Sequence, residues 1–92
     1  MQFEWDEAKR AENIVKHRID FADILQMFDR PMLSDLDERT DYGEERWLGI
    51  GFLGNIIAVV IWTERQSDTI RIISARRANK YERQRFEQYL SN

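Results

Sequence analysis

Residues 56–63, Ile-Ile-Ala-Val-Val-Ile-Trp-Thr, are apolar on both faces that a strand presents. Side chains alternate across a strand, so an apolar run of this kind asks for cover on two sides. Gly54-Asn55 stands just before it and reads as a two-residue hairpin turn. Residues 46–53 precede that turn, and residues 69–75 follow a longer turn at 64–68. The three runs predict an antiparallel meander. Gly49 and Gly51 share one face of the first strand and leave it flat, which suits close approach of another backbone.

The rest of the chain must cover that sheet. Residues 2–5 alternate and suit a short edge strand. Asp6 is placed to cap a helix running to about His17, with Glu7 in its first turn. Trp5, Ala8, Ala11 or Glu12, and Val15 fall at helical spacing with Ile14 alongside, and Trp5 is assigned to the core. Lys9, Arg10, Glu12, Asn13 and Lys16 form the polar side. Lys16, His17 and Arg18 put cations at the helix C-terminus, where they complement its dipole. Asp20 caps a second, shorter helix through about Phe28, with Phe21, Ile24, Leu25 and Phe28 at i, i+3, i+4 and i+7. Arg30-Pro31 ends it, and residues 32–34 suit a short strand. Residues 35–45 form an acidic loop without the ordered ligand spacing of a calcium site, hence a solvated or partner-facing loop. Asn79-Lys80-Tyr81-Glu82 reads as a capping box opening a helix over 80–90, with Tyr81, Phe86, Tyr89 and Leu90 as its apolar stripe. The expected fold is α+β: two N-terminal helices on one face of an antiparallel three- to four-stranded sheet, and a C-terminal helix, or a partner, on the other. Residues 1–92 form one domain.

Composition narrows the chemistry. With no cysteine, disulfides and cysteine zinc sites are excluded, and one histidine is too few for an ordinary protein-only metal centre. No cofactor or metal is expected. The N-terminus has neither a basic n-region nor an apolar h-region, and residues 56–62 are far too short to span a bilayer. No membrane role is expected, and a cytoplasmic location fits. The net charge is −3, but residues 1–45 carry −7 and residues 46–92 carry +4. A basic C-terminal surface suits phosphates, and the acidic half suits a basic partner; equally, the two halves can neutralise each other within one fold.

Two places could carry chemistry. In residues 69–75, Ile70, Ile72 and Ser74 are expected on one face and Arg71, Ile73 and Ala75 on the other. Arg76 continues the first face, and Arg76-Arg77 ends the strand beside a helix N-terminus, where backbone N–H groups favour anions. Arg76 is the best candidate phosphate ligand; the competing reading is a solvated pair, or one matched to the acidic half. His17 is the only side chain that ordinarily titrates near neutrality. It reads as a general acid or base, as a phosphate contact, or as a helix-end residue interacting with the dipole.

Taken together, Phe3-Glu4-Trp5-Asp6, Lys9, Asn13, Lys16-His17, Phe21, Gly43-Glu44-Glu45-Arg46, the run from Ile70 to Ala78, and Glu82-Arg83 resemble the BrnT family of toxins from bacterial type II toxin–antitoxin pairs. The resemblance covers nearly the whole chain, in order. It implies a fold like the RelE and ParE toxins. It also implies an RNA-cleaving toxin that blocks translation. The implied partner is a BrnA-like antitoxin with a ribbon-helix-helix domain, through which alone the toxin would meet operator DNA. Carried over by position, Lys16 and His17 match the family's Lys-His pair, Arg46 the arginine opening the central sheet, and Arg71, Ser74 and Arg76 the Ile-Ser-Ala-Arg strand end. The family usually has Gly after Lys-His; here Arg18 stands there, adding a cation beside His17.

On that resemblance, cleavage would use the RNA's own 2′-hydroxyl as nucleophile, without a metal. Arg76 and Arg46 would stabilise the developing phosphorane charge, since a guanidinium fork matches phosphate and stays charged. His17 would act as general acid or base with Lys16 in support. Arg71, Ser74 and Arg77 would bind substrate. A non-catalytic module that binds the antitoxin as co-repressor is a distinct reading, and ParE-like inhibition of gyrase is a third, because one fold hosts several functions.

Overall fold

The meander closes into a five-stranded sheet in the computed structural model, which describes residues 1–39 and 41–92, with the backbone alone at position 67. Thr40, within the acidic loop, lies outside the described residues. The strands are β1 (Gln2–Glu4), β2 (Met32–Leu36), β3 (Trp47–Leu53), β4 (Ile56–Arg65) and β5 (Thr69–Arg77), in the spatial order β1-β5-β4-β3-β2. Neighbours from β2 to β5 are antiparallel, as expected. The sheet is nonetheless mixed, because β1 lies parallel to β5 with Phe3 opposite Ile70. Two connecting helices lie between β1 and the meander, so the first strand can return alongside the last in the same sense.

The hairpin turn holds Gly54 at φ 60°, a left-handed conformation that costs glycine little. The two faces of β4 enter separate cores. Ala58, Val60 and Trp62 pack with Ile19, Phe21, Ile24 and Met27 under the N-terminal helices. Val59 and Ile61 pack with Ile50 and Phe86 under the C-terminal helix. Edge-to-face contacts join Phe28 to Trp62 at 5.0 Å and Phe52 to Phe86 at 5.1 Å. Trp5 is half-buried and meets Phe21 at 6.4 Å.

Helix α1 (Glu7–His17) has its expected bounds, with the Asp6 carboxylate accepting from the N–H groups of Ala8 and Lys9. Its inward face is not the expected one. Val15 is 77% exposed, and Ala8 and Ala11 are exposed too. Arg10, Asn13, Ile14 and His17 turn inward instead. The reason is polar. β1 pairs only with residues 69–71, so β5 has an open edge beyond Arg71, and α1 lies across it. An open edge demands hydrogen-bond partners, and this demand outweighs the apolar periodicity. Asn13 meets it by accepting from the Ala75 N–H at 3.1 Å.

The second helix is one turn, α2 (Phe21–Ile24), continued as a 3-10 turn at Leu25–Asp29. Helix α3 (Lys80–Ser91) opens on the complete capping box of Asn79 and Glu82. Of its expected apolar stripe only Phe86 is buried; Tyr81, Tyr89 and Leu90 are exposed, while Glu82 and Arg85 turn partly inward. No described helix is long and apolar enough to cross a membrane.

Candidate functional site

β5 fixes the positions of most candidate residues, and it carries an irregularity. Ile61 lies opposite Ser74 whereas Trp62 lies opposite Ile72, so Ile73 is an extra residue in the ladder. Alternation is therefore reset. Ala75, not Ser74, continues the face of Ile70 and Ile72 into the core under α1 and α2. Ser74 and Arg76, opposite Ile61 and Val59, share the face covered by α3. The expected placement of Arg76 with Ile70 and Ile72 is thus reversed; a bulge leaves no clear mark in an apolar pattern.

That reversal brings Arg76 to the start of α3. Its Nη1 and Nη2 donate to the two carboxylate oxygens of Glu82, both at 2.8 Å, and Nη1 also donates to the Arg77 carbonyl at 3.2 Å. Arg77 itself is exposed. Glu82 is 12% exposed, and its Oε1 also accepts from the Asn79 N–H at 2.9 Å. The guanidinium holds the Glu82 carboxyl below the usual carboxylate range, and the carboxylate in turn strengthens the protonation of Arg76. Arg39, whose Nε and Nη2 are tied to the buried Asp37 carboxylate at 2.7 and 2.9 Å, lies near enough to oppose Arg76 and to help keep Glu82 ionised.

Lys16, His17 and Ser74 come together elsewhere. They line a shallow pocket of about 210 Å³ between the end of α1 and the edge of β5, with Lys9, Glu12, Asn13 and Ile73. Asn13 sets this junction, because its Nδ2 donates to the Ile19 carbonyl at 2.9 Å while its Oδ1 holds β5. His17 is half-buried in the last turn of α1. Arg18 follows at φ 61°, ψ 29°, and donates its N–H to the Ile14 carbonyl at 2.9 Å. It adopts the left-handed cap that a glycine would.

Arg46 and Arg71 lie at the other end of the sheet. Arg71, opposite Thr63, donates from Nη1 to Glu4 of β1 at 2.7 Å. Arg46 stacks its guanidinium over the Tyr42 ring at 4.0 Å and donates from Nε to Glu44 at 3.2 Å. Arg76 is five residues along the strand from Arg71, roughly 16 Å of chain. The candidates therefore form three groups, with Arg76 and Arg77 by α3, Lys16, His17 and Ser74 by α1, and Arg46 and Arg71 at the far end.

A wider concavity, about 730 Å³, contains none of them. Glu4, Glu44, Glu45 and Glu64 line it beside Trp47 and Thr63. Arg65 lines it too, but four carboxylates outnumber that one cation and disfavour a phosphodiester, so size does not make this cleft an RNA site. Among the described residues, no three His, Asp or Glu side chains are gathered as a metal centre requires. Sequence reasoning missed the roles of Asn13 and Glu82. Both carry the family resemblance, but the only local role the sequence gives them is the polar side of a helix for Asn13 and the capping box for Glu82. The signal for Glu82 was the arginine flanking the same capping box.

A family model described as the ribonuclease toxin BrnT of type II toxin–antitoxin systems matches residues 5–82. Among solved structures, the chain is similar to the crystal structure of the ribonuclease toxin BrnT of Brucella abortus. The two share 34% identity with a TM-score of 0.68, over 87% of this chain and 99% of that one. Comparison with curated protein sequences gives no match.

Proposed function

The chain belongs to the BrnT family of ribonuclease toxins of type II toxin–antitoxin systems, and we propose that it cleaves RNA without a metal ion and so blocks translation. The family match over residues 5–82, a span that includes every candidate residue, supports the RNA-cleaving part of this reading. A toxin of such a system has an antitoxin partner; here the partner is a BrnA-like ribbon-helix-helix protein, which brings the complex to operator DNA. The setting is the cytoplasm.

The chemistry follows from the side chains. Attack by a 2′-hydroxyl on its own phosphodiester needs a base, an acid and cations around the developing charge. His17 serves as general acid or base with Lys16 beside it, and Ser74 lines the same pocket. Arg76 is the principal phosphate ligand, because a charged, planar fork matches two phosphate oxygens. Arg46, at the far end of the sheet from Arg76, does not share its phosphate as the resemblance implied; with Arg71 it binds the strand of RNA further along, and Arg77 binds it beside Arg76. The separation of these groups along the sheet fits a substrate several nucleotides long.

A second reading has its own observation. Arg46, Arg71 and Arg76 are each engaged by a glutamate, as in a module whose arginines serve the fold and whose task is to bind the antitoxin as co-repressor. One experiment separates the two: incubate the purified, antitoxin-free chain with RNA in EDTA, alongside Arg76→Ala. Cleavage leaving 2′,3′-cyclic phosphate ends, lost in the variant, is the expected result. No cleavage of free or ribosome-bound RNA, with antitoxin binding intact, would overturn the ribonuclease reading in favour of the co-repressor.

A further inference from the structure

Arginine carries five N–H donors in one plane. At Arg76 three are accounted for, two on Nη1 and one on Nη2, by Glu82 and the Arg77 carbonyl. The Nε–H and the second Nη2–H have no partner among the described residues. These two lie side by side on one edge of the guanidinium, spaced to meet two oxygens of a phosphate. Glu82 has occupied the other edge.

Glu82 is itself immobilised. Its N–H donates to the Asn79 side chain at 2.8 Å, its Oε1 accepts from the Asn79 N–H, and it is mostly buried. The capping box needs one carboxylate oxygen; the second oxygen and the two-pronged geometry are directed at Arg76. By Coulomb's law alone a carboxylate here weakens the attraction of Arg76 for RNA. Its presence makes sense if orientation matters more than net charge, as it does when a donor must meet a transition state.

We propose that Glu82 is a positioning residue for RNA cleavage, holding Arg76 so that its Nε–H and Nη2–H edge faces the scissile phosphodiester. This rests on the ribonuclease reading above. The test is single-turnover cleavage of a short RNA by the full chain and by Glu82→Gln, Glu82→Asp, Arg76→Ala and the Glu82→Gln/Arg76→Ala double variant, each checked for folding by circular dichroism. Gln keeps a capping-box side chain without the charge; Asp keeps the charge but is one methylene short. Both should cut the rate at saturating RNA on the order of 10²-fold, with half-saturation unchanged or lower, and the double variant should be no slower than Arg76→Ala. If Glu82→Gln does not fold, Glu82→Asp decides alone. A parent-like rate in either folded Glu82 variant or in Arg76→Ala, or losses that multiply in the double variant, would overturn the positioning role while leaving the ribonuclease intact. An unmodified chain that cleaves no RNA would overturn the ribonuclease reading, and this role with it.

Discussion

The carboxamide of Asn13 joins two segments far apart in sequence: it accepts from the Ala75 N–H at 3.1 Å and donates to the Ile19 carbonyl at 2.9 Å. Asn13 is buried, so replacing it leaves two backbone groups without water or partner. Asn13→Leu is expected to cost about 2–6 kcal/mol, from about 1–3 kcal/mol for each of the two groups left unsatisfied. Urea unfolding should show a lower midpoint at unchanged slope. A loss below roughly 0.5 kcal/mol would mean that the open edge of β5 finds another partner. Because Asn13 lines the pocket with Lys16 and His17, cleavage should fall as well.

Gly49 is held to its identity by neighbours on the same face. A Cβ there would overlap the Met32 sulfur and sit 2.7 Å from Trp62 Cζ3. Met32 can swing away, but Trp62 is buried and wedged against Phe28. Gly49→Ala should therefore cost about 1–3 kcal/mol, the usual range for overpacking, despite the better strand propensity of alanine. Adding Met32→Ala should restore little, since the ring remains. Full rescue by that second change, read from thermal melts, would put the conflict at Met32 alone.

Both glycines of β3 were legible as a flat face, but what fills it is side chain at Gly49 and, at Gly51, the Pro31 carbonyl, 3.2 Å from where a Cβ would stand. The same contrast runs through the molecule. Element bounds set by capping residues such as Asp6, Asp20 and Asn79 were readable, because a cap is a local hydrogen-bond problem. The meander was readable from apolar runs and turn residues. Facing was not readable where the need was long-range: Ala8, Ala11 and Val15 mimic a core stripe, yet the edge of β5 selects Asn13, and Asp20 draws Arg10 to the same side. The parallel return of β1 and the extra residue at Ile73 are likewise set by pairing between distant segments. The candidate residues could be named from the sequence, whereas the grouping of His17 with Ser74 and of Arg76 with Glu82 depends on that pairing.

Asp20 should make stability acid-sensitive. Arg10 donates Nε and Nη2 to its two oxygens at 2.7 and 2.8 Å, and the Ala22 N–H adds a third bond. With the Arg10 hydrogen bonds as the main cause, the Asp20 pKa is lowered to about 2. The folded state thus holds the carboxylate more acidic than the unfolded chain, whose Asp titrates near 4. The contribution is fully present above about pH 4 and is lost as pH falls towards 2. Asp20→Asn keeps an N-cap but not the charge, and should lower Tm by about 5 °C at neutral pH, allowing for the partial exposure of the pair. The gap should close between pH 4 and pH 2; a constant gap would assign the effect to packing.

Arg18 offers the closing test, because it joins backbone strain to the site. A side chain at φ 61° costs roughly 1–2 kcal/mol, which glycine avoids while adding about 0.5–1 kcal/mol of unfolded-state entropy. Arg18→Gly should therefore stabilise the chain by roughly 0.5–1 kcal/mol, seen as a higher Tm. The Arg18 N–H already reaches the Ile14 carbonyl, so the end of α1 and the pose of His17 should persist. Cleavage at fixed salt should then stay within about threefold. If Arg18 also touches a phosphate, the slope of log affinity against log salt should drop by about one in the variant. A large loss of rate with an unchanged salt slope would instead show that the arginine, and not the helix cap, sets the geometry around His17.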